Sequence, residues 1–191
     1  FISASDVGIY GAITSHKICT ENTPPAADFL GSTCQKWESA VDKIGALNIR
    51  TVKIRTGIVL GKDEGFLKKL GPNFKAGFGA ILGTGKQYLP WIHIDDLVAI
   101  FKYVIDNKLE GIYNAVSPYP TTNEELTKAI AKTIHKPLFL PNVPKFMLRL
   151  LLGEMHQIVT SSQHVSSRKI LDSGFQFQYA SLSKSLQNLL K

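Results

Sequence analysis

The side chains best equipped for chemistry gather in two stretches. Ser3, Ser5 and Tyr10 surround the turn Ser5-Asp6-Val7-Gly8-Ile9-Tyr10-Gly11, and Gln87, Trp91, His93, Asp95 and Asp96 crowd a ten-residue run. A hydroxyl at a strand end can hydrogen-bond a substrate oxygen, a phenol can exchange a proton, and an imidazole is the natural general base near neutral pH. Each has a plainer reading beside the chemical one. Ser3 reads equally as a buried strand serine, Tyr10 as packing, His93 as a strand residue held by hydrogen bonds, and Asp95 or Asp96 as a helix cap. Cys34 falls on an apolar stripe, which favours core over a reactive thiol. The five histidines show no metal-ligand spacing, and a metal site is not expected.

The elements that must position these residues are legible from periodicity. Phe1 to Ala4 reads as a strand, and its small residues would let a ligand approach the backbone at the strand's C-terminal end. A helix is expected from about Ala26 to Leu47, with Leu30, Cys34, Trp37, Val41 and Ile44 as one continuous buried stripe. Thr51 to Arg55 alternates as a strand that continues through Thr56-Gly57-Ile58 to Gly61. Strand, helix, strand makes a βαβ unit, so a doubly wound parallel sheet is the economical architecture. Leu67 to Leu70 reads as one helical turn. The glycine-rich Gly77 to Gly85 stretch lacks the preceding strand a dinucleotide fingerprint needs and reads as a loop. Tyr88 to Ile100 is a short strand running straight into a helix, with Trp91 and His93 on one face of the strand. Gly111 to Val116 is another strand, and Thr121 or Thr122 caps a helix from Asn123 to Ile134. Val143 to Gly153 makes a strongly apolar helix expected to be buried, turns run through Val165 to Leu171, and a last helix spans Ala180 to Leu190.

The 191 residues are 44% hydrophobic and 19% charged, the balance of a globular protein of one or two domains. Apolar runs stop short of the ~18 residues a membrane helix needs, so no membrane partner is expected. Cys19 and Cys34 are too few for a disulfide framework, which makes a reducing cytoplasm the default location. A net charge of +7 invites a nucleic-acid reading, but the densest basic group, Lys68, Lys69, Lys75 and Lys86, sits among glycines with no nucleic-acid motif. A solvated basic face or a site for an anionic small molecule is favoured instead. The opening Phe1-Ile2-Ser3-Ala4 looks like the middle of a buried strand, so an N-terminal part is expected to precede it.

Three motifs in order, Ile2-Ser3-Ala4-Ser5 with Tyr10-Gly11, Arg55 to Gly61, and Trp91-Ile92-His93-Ile94-Asp95-Asp96-Leu97, resemble the extended short-chain dehydrogenases, the nucleotide-sugar epimerase group. With Tyr113-Asn114-Ala115 and Gly174-Phe175-Gln176-Phe177 they resemble its atypical epimerase-like branch, which has its own short C-terminal domain. The resemblance implies an α/β chain: the C-terminal half of a doubly wound, Rossmann-like parallel sheet over residues 1–116, with a loop insertion at 62–90, and a small, mostly helical lobe over 117–191. It implies a nicotinamide cofactor, NAD or NADP, in the intact protein, with Ser3, Ala4, Arg55, Thr56, Gly57 and Ile58 on the cofactor side. Ser5 matches the serine that hydrogen-bonds the reacting oxygen, and Tyr10, Gln87, Trp91 and His93 would line a site for a small polar substrate. The family's N-terminal half, roughly 100 residues at about 30 per βαβ unit, carries its Gly-rich pyrophosphate loop, and no counterpart is found in this sequence. At the positions of the family's proton-transferring Tyr and Lys stand Leu30 and Cys34, which cannot perform that task.

The leading expectation is therefore an NAD(P)-dependent oxidoreductase or epimerase-like protein. The alternative is a non-catalytic NAD(P)-binding sensor or docking module, and nucleic-acid binding ranks behind both. A homodimer is expected through an uncovered sheet edge or the helix at 143–153.

Overall fold

The computed structural model describes residues 1–12, 17–62, 65–153 and 160–191, with the backbone alone for Lys69, Leu151 and Leu152. In chain order its elements are β1 (Ile2–Asp6), a 3-10 turn (Val7–Tyr10), β2 (Ile18–Cys19), α1 (Phe29–Gly45), β3 (Val52–Thr56), β4 (Ile58–Leu60), α2 (Gly65–Lys75), β5 (Trp91–His93) and α3 (Ile94–Asp106). There follow β6 (Gly111–Ala115), α4 (Asn123–Thr133), α5 (Lys145–Leu152), β7 (His164–Val165), α6 (Arg168–Asp172) and α7 (Leu182–Leu190).

A parallel sheet in the order β1-β3-β6 forms the centre. Alternation along β3 assigns its two faces. Val52 and Ile54 point into an apolar core with Ile92, Ile100, Val104, Tyr113, Ile170 and Phe175, while Lys53 and Arg55 turn to the opposite face, where α1 supplies carboxylates. Helices thus cover both faces, as a doubly wound sheet requires. After Thr56 the chain leaves β6 and pairs with β5 through β4. Gly57 makes that step possible, because a Cβ there would lie 2.3 Å from the Pro90 carbonyl oxygen. A second core joins the two ends of the chain: Leu60, Leu67 and Trp91 pack with Leu126 and Ile130 of α4 and with Leu186 and Leu189 of α7.

Thr122 caps α4 in a reciprocal box with Glu125, and the strand-to-helix junction at His93 and Ile94 is as expected. Several expectations are corrected. The stripe of α1 is not uniformly buried: Cys34 and Val41 are, but Trp37 is 46% exposed, and Glu38 is the residue that points inward beside them. Neither Asp95 nor Asp96 caps α3. The His93 imidazole does so, accepting from the Asp95 N–H at 3.1 Å, which frees Asp96 for another partner. Helix α2 is longer than one turn and carries Pro72 within it. The segment after Gln163 begins with β7, paired in parallel with β2, before α6. Helix α5 buries Leu148 but leaves Phe146, Met147 and Leu150 exposed, and the expected burial of Leu151 and Leu152 lies outside the described side chains.

Candidate active-site cleft

Parallel strands that end together leave their last residues and the following loops around a common crevice. Here β1 ends in Asp6 and the 3-10 turn, β3 ends in Thr56 and Gly57, and a cleft of about 340 Å³ opens beyond them. One wall is Asp6, Val7 and Gly8 with Gly57 and Ile58; the facing wall is Leu30, Thr33, Cys34 and Trp37 of α1. Tyr88, Leu89 and Pro90 close one end with Ser161 and Gln163. Gln163 also ties this segment down by donating through Nε2 to the Gly11 carbonyl at 2.7 Å. Asp28 sets the start of α1: its Oδ1 accepts from the Gly31 N–H and its Oδ2 from the Ala12 N–H, at 2.8 and 2.9 Å.

Behind the cleft lies a buried polar network, dictated by register. Ser5, Arg55 and Asn114 are partners across β1, β3 and β6, so their side chains emerge in one row facing α1. Glu38 descends from α1 onto that row. Arg55 binds it with two N–H bonds, Nε to Oε1 at 2.8 Å and Nη2 to Oε2 at 2.9 Å, and the Ser5 hydroxyl donates to Oε1 at 2.7 Å. Arg55 Nη1 donates to the Tyr10 hydroxyl at 3.0 Å and to the Glu21 carbonyl at 3.2 Å. The Tyr10 O–H donates to Asn114 Oδ1 at 2.6 Å, and the Glu21 carboxylate accepts from the Asn114 N–H at 2.9 Å. Burial raises the Glu38 pKa, but the Arg55 and Ser5 hydrogen bonds outweigh it and hold the carboxyl below its usual range. Burial pulls Arg55 down, while the bonds to Glu38 and the influence of Tyr10 carry its net shift upward, so the guanidinium is permanently charged. Burial pushes the Tyr10 phenol up to about 12, against the pull of Arg55. Burial and the carboxylates of Asp6 and Glu38 push the Cys34 thiol up to about 11.

The residues singled out from the sequence fall into three places. Gly57 and Ile58 line the cleft. Ser5, Tyr10 and Arg55 belong to the network behind it, with Ser3 and Ala4 earlier on β1 and Thr56 at the end of β3. Gln87, Trp91 and His93 are buried in the junction with the C-terminal residues. Gln87 Nε2 donates to the Leu82 carbonyl and Trp91 Nε1 to Thr121 Oγ1, both at 2.9 Å. His93 Nδ1 accepts from a backbone N–H, which leaves the proton on Nε2, 3.1 Å from Asn188 Oδ1. Its ring stacks on Tyr179 with centroids 3.8 Å apart. Beside it the Asp96 carboxylate, 2% exposed, accepts the backbone N–H groups of Gln178 and Tyr179 at 2.8 and 2.9 Å. Sequence reasoning missed Glu38, Asn114 and Glu21, whose roles depend on contacts across the sheet. It also missed Trp37 and Tyr88 as cleft residues; the 3.6-residue period of α1 does not say whether a stripe faces core or crevice.

A parallel sheet with helices on both faces, a cleft at its carboxyl ends and a helical C-terminal part define the architecture of the extended short-chain dehydrogenases. UDP-glucose 4-epimerase of Thermus thermophilus, in complex with NAD, shares that fold, with a TM-score of 0.73 and 16% identity over 99% of this chain and 62% of that one. In sequence the chain is similar to epimerase family proteins. It is 36% identical to the epimerase family protein YfhF of Bacillus subtilis over 99% of this chain and 62% of the relative. It is 34% identical to the chloroplastic SDR39U1 homologue of Arabidopsis thaliana over 100% of this chain and 54% of that protein. The structure of human epimerase family protein SDR39U1 (isoform 2) with NADPH superposes with a TM-score of 0.89, at 28% identity, over 98% of this chain and 64% of that one. Residues 143–189 match a family described as a domain of unknown function, DUF1731. The chain thus spans a little over half to about three fifths of the curated relatives it matches.

Proposed function

We propose that the cleft is where an NAD(P)-dependent, epimerase-like oxidoreductase brings the nicotinamide end of its cofactor against a small polar substrate. The observation that carries this reading is the cleft itself, open at the carboxyl ends of β1 and β3 in a fold shared with an NADPH-bound relative. Its walls fit the group: Val7, Leu30, Ile58 and Leu89 offer apolar faces to a flat ring, and Asp6, Thr33, Ser161 and Gln163 offer polar atoms to an amide or a hydroxylated substrate. A bound nicotinamide supplies or accepts a hydride there. Gly57 and Ile58 form the cofactor side of the cleft, held in place from behind by Arg55. Ser5 is the hydroxyl at the strand end; while it donates to Glu38 it is a positioning residue, and it would act on a reacting oxygen only by leaving that bond.

A second reading, a nucleotide sensor without turnover, is favoured by one observation. Leu30 and Cys34 stand on the cleft wall four residues apart, and neither a hydrocarbon nor a thiol held near 11 exchanges protons well at neutral pH.

Trp37 makes the test direct. It lies on the cleft wall, whereas the other tryptophan, Trp91, is 1% exposed and outside the cleft. NADPH bound in the cleft should quench Trp37 emission and raise nicotinamide emission by energy transfer, and Trp37→Phe should reduce the effect to the share contributed by Trp91, which follows the cleft residue Pro90. No change up to millimolar NADPH in a chain extended at its N-terminus by the family's pyrophosphate-binding half rejects both readings. Transfer with a steady 340 nm absorbance and no epimerised product across a panel of sugar nucleotides and small carbonyl compounds selects the sensor; loss of that absorbance, or appearance of an epimer, with one of them selects the enzyme.

A further inference from the structure

The basic clustering that the sequence lacks as a run is created by the fold. Residues 65–90 and 132–153 together contain eight Lys and Arg and no Asp or Glu, while the rest of the chain sums to one negative charge, so these two segments carry the whole net charge of +7. They lie side by side: Leu82 and Val143 form a parallel bridge, the Gly83 N–H donates to the Val143 carbonyl, and the Val143 N–H donates to the Ile81 carbonyl, both at 2.8 Å. On these two segments Phe78, Phe139, Phe146 and Leu150 are 65%, 79%, 71% and 83% exposed. Lys75, Lys136, Lys145 and Arg149 are exposed on the same two segments. An apolar cavity of about 200 Å³ opens between the segments, bounded by Phe78, Val143 and Leu148.

We propose that this face docks on an anionic lipid bilayer, with Phe78, Phe139, Phe146 and Leu150 entering the headgroup and acyl boundary and the Lys and Arg side chains contacting lipid phosphates. Two features select that occupant. The single sign of charge repels a second copy of the same face and attracts a polyanion. Among polyanions, a lipid surface rewards exposed leucine and phenylalanine beside the cations, whereas a nucleic acid binds through phosphate and base contacts to which leucine adds little. This is a surface contact and requires no span; among the described residues no helix is long and apolar enough to cross a membrane. The face lies apart from the cleft, and the inference stands independently of the cofactor reading.

The test is co-sedimentation of the chain with phosphatidylcholine vesicles, with and without one third phosphatidylglycerol. Binding is expected to the anionic vesicles alone and to weaken as salt rises. The double substitution Lys145→Ala, Arg149→Ala should weaken partitioning about thirtyfold, the loss expected for two basic residues near an anionic surface. Phe146→Ser, Leu150→Ser should abolish it, and because all four positions are exposed, circular dichroism should show the parent fold in both variants. No binding, equal binding to neutral vesicles, or unchanged binding by both variants overturns the proposal. So does binding to single-stranded DNA that survives the Phe146, Leu150 change, or dimerisation through this face in sedimentation.

Discussion

Glu38→Gln tests whether α1 is locked to the sheet by charge rather than by apolar contact alone. Glu38 and Arg55 are 5% and 4% exposed, and two N–H bonds of 2.8 and 2.9 Å join them. Glutamine keeps the shape and one acceptor oxygen but turns an NH2 toward the guanidinium, leaving a buried positive charge without its counter-ion. Removing one member of a buried pair costs about 3–5 kcal/mol, a large part of the ~5–15 kcal/mol that holds a domain folded. For a chain of 191 residues that corresponds to a fall in Tm of roughly 6–20 °C, at about 2–4 °C per kcal/mol. Replacing both partners, Glu38→Leu with Arg55→Met, removes the charges together; the Tyr10 hydroxyl and the Glu21 carbonyl then each lose a donor and the Ser5 hydroxyl its acceptor, and the deficit should shrink to about 1–3 kcal/mol. Urea unfolding of the parent, Glu38→Leu, Arg55→Met and the double variant, followed by circular dichroism, measures the cycle, with Glu38→Gln beside it. The acid limb provides an independent check. Because the folded carboxyl titrates below the ordinary glutamate value of 4.5, its contribution is complete above that value and is lost as pH falls through the lower folded one. The parent should lose stability there and Glu38→Gln should not lose that portion. If Glu38→Gln stays within about 1 kcal/mol of the parent, the pair behaves like a surface salt bridge and the network argument is wrong.

Three further outcomes follow from the same geometry. Burial pushes Tyr10 up to about 12 from an ordinary 10.0; stability should be intact below pH 10 and fall by up to about 3 kcal/mol as pH rises toward 12, a decline that Tyr10→Phe should lack in alkaline unfolding curves. Gly57→Ala drives a methyl to 2.3 Å from the Pro90 oxygen and 2.9 Å from Val116, so it should cost more than about 3 kcal/mol, read as loss of soluble protein; a normal urea midpoint would show that the β3 to β4 step yields freely. Asp96→Asn leaves one of the Gln178 and Tyr179 N–H groups without an acceptor; a loss of about 1–3 kcal/mol should appear as faster hydrogen exchange at those two amides, and unchanged exchange would place the anchor elsewhere.

Much of the fold is local and was readable as such. The alternation of Thr51 to Arg55, the run from Trp91 into α3, and the pairing of Thr122 with Glu125 each carry their signal within a few residues. The site is less local. Ser5, Tyr10 and Arg55 stand out in the sequence, but their union around Glu38 depends on the register of three strands and on where α1 lies, neither of which a single stretch encodes. Trp37 fits the same helical period as Cys34 and Val41, and only the neighbouring crevice makes its environment different. Helix α5 reads as buried because its residues are apolar, yet exposure is decided by what packs against Phe146 and Leu150. The two-residue pairing of β2 with β7 offers no periodicity to detect.

The bonds of Asp96 and His93 to Gln178, Tyr179 and Asn188 have a consequence for synthesis. A ribosome delivers the strand-to-helix corner at Trp91 to Asp96 long before the last residues that satisfy it. Until those residues leave the tunnel, a carboxylate destined for burial has only water as its partner, and the imidazole lacks both its stacking ring and its acceptor. The corner is therefore completed only once Gln178, Tyr179 and Asn188 have left the tunnel, and nascent chains arrested before Gln178 should remain open to proteases there while chains long enough to expose Asn188 become resistant.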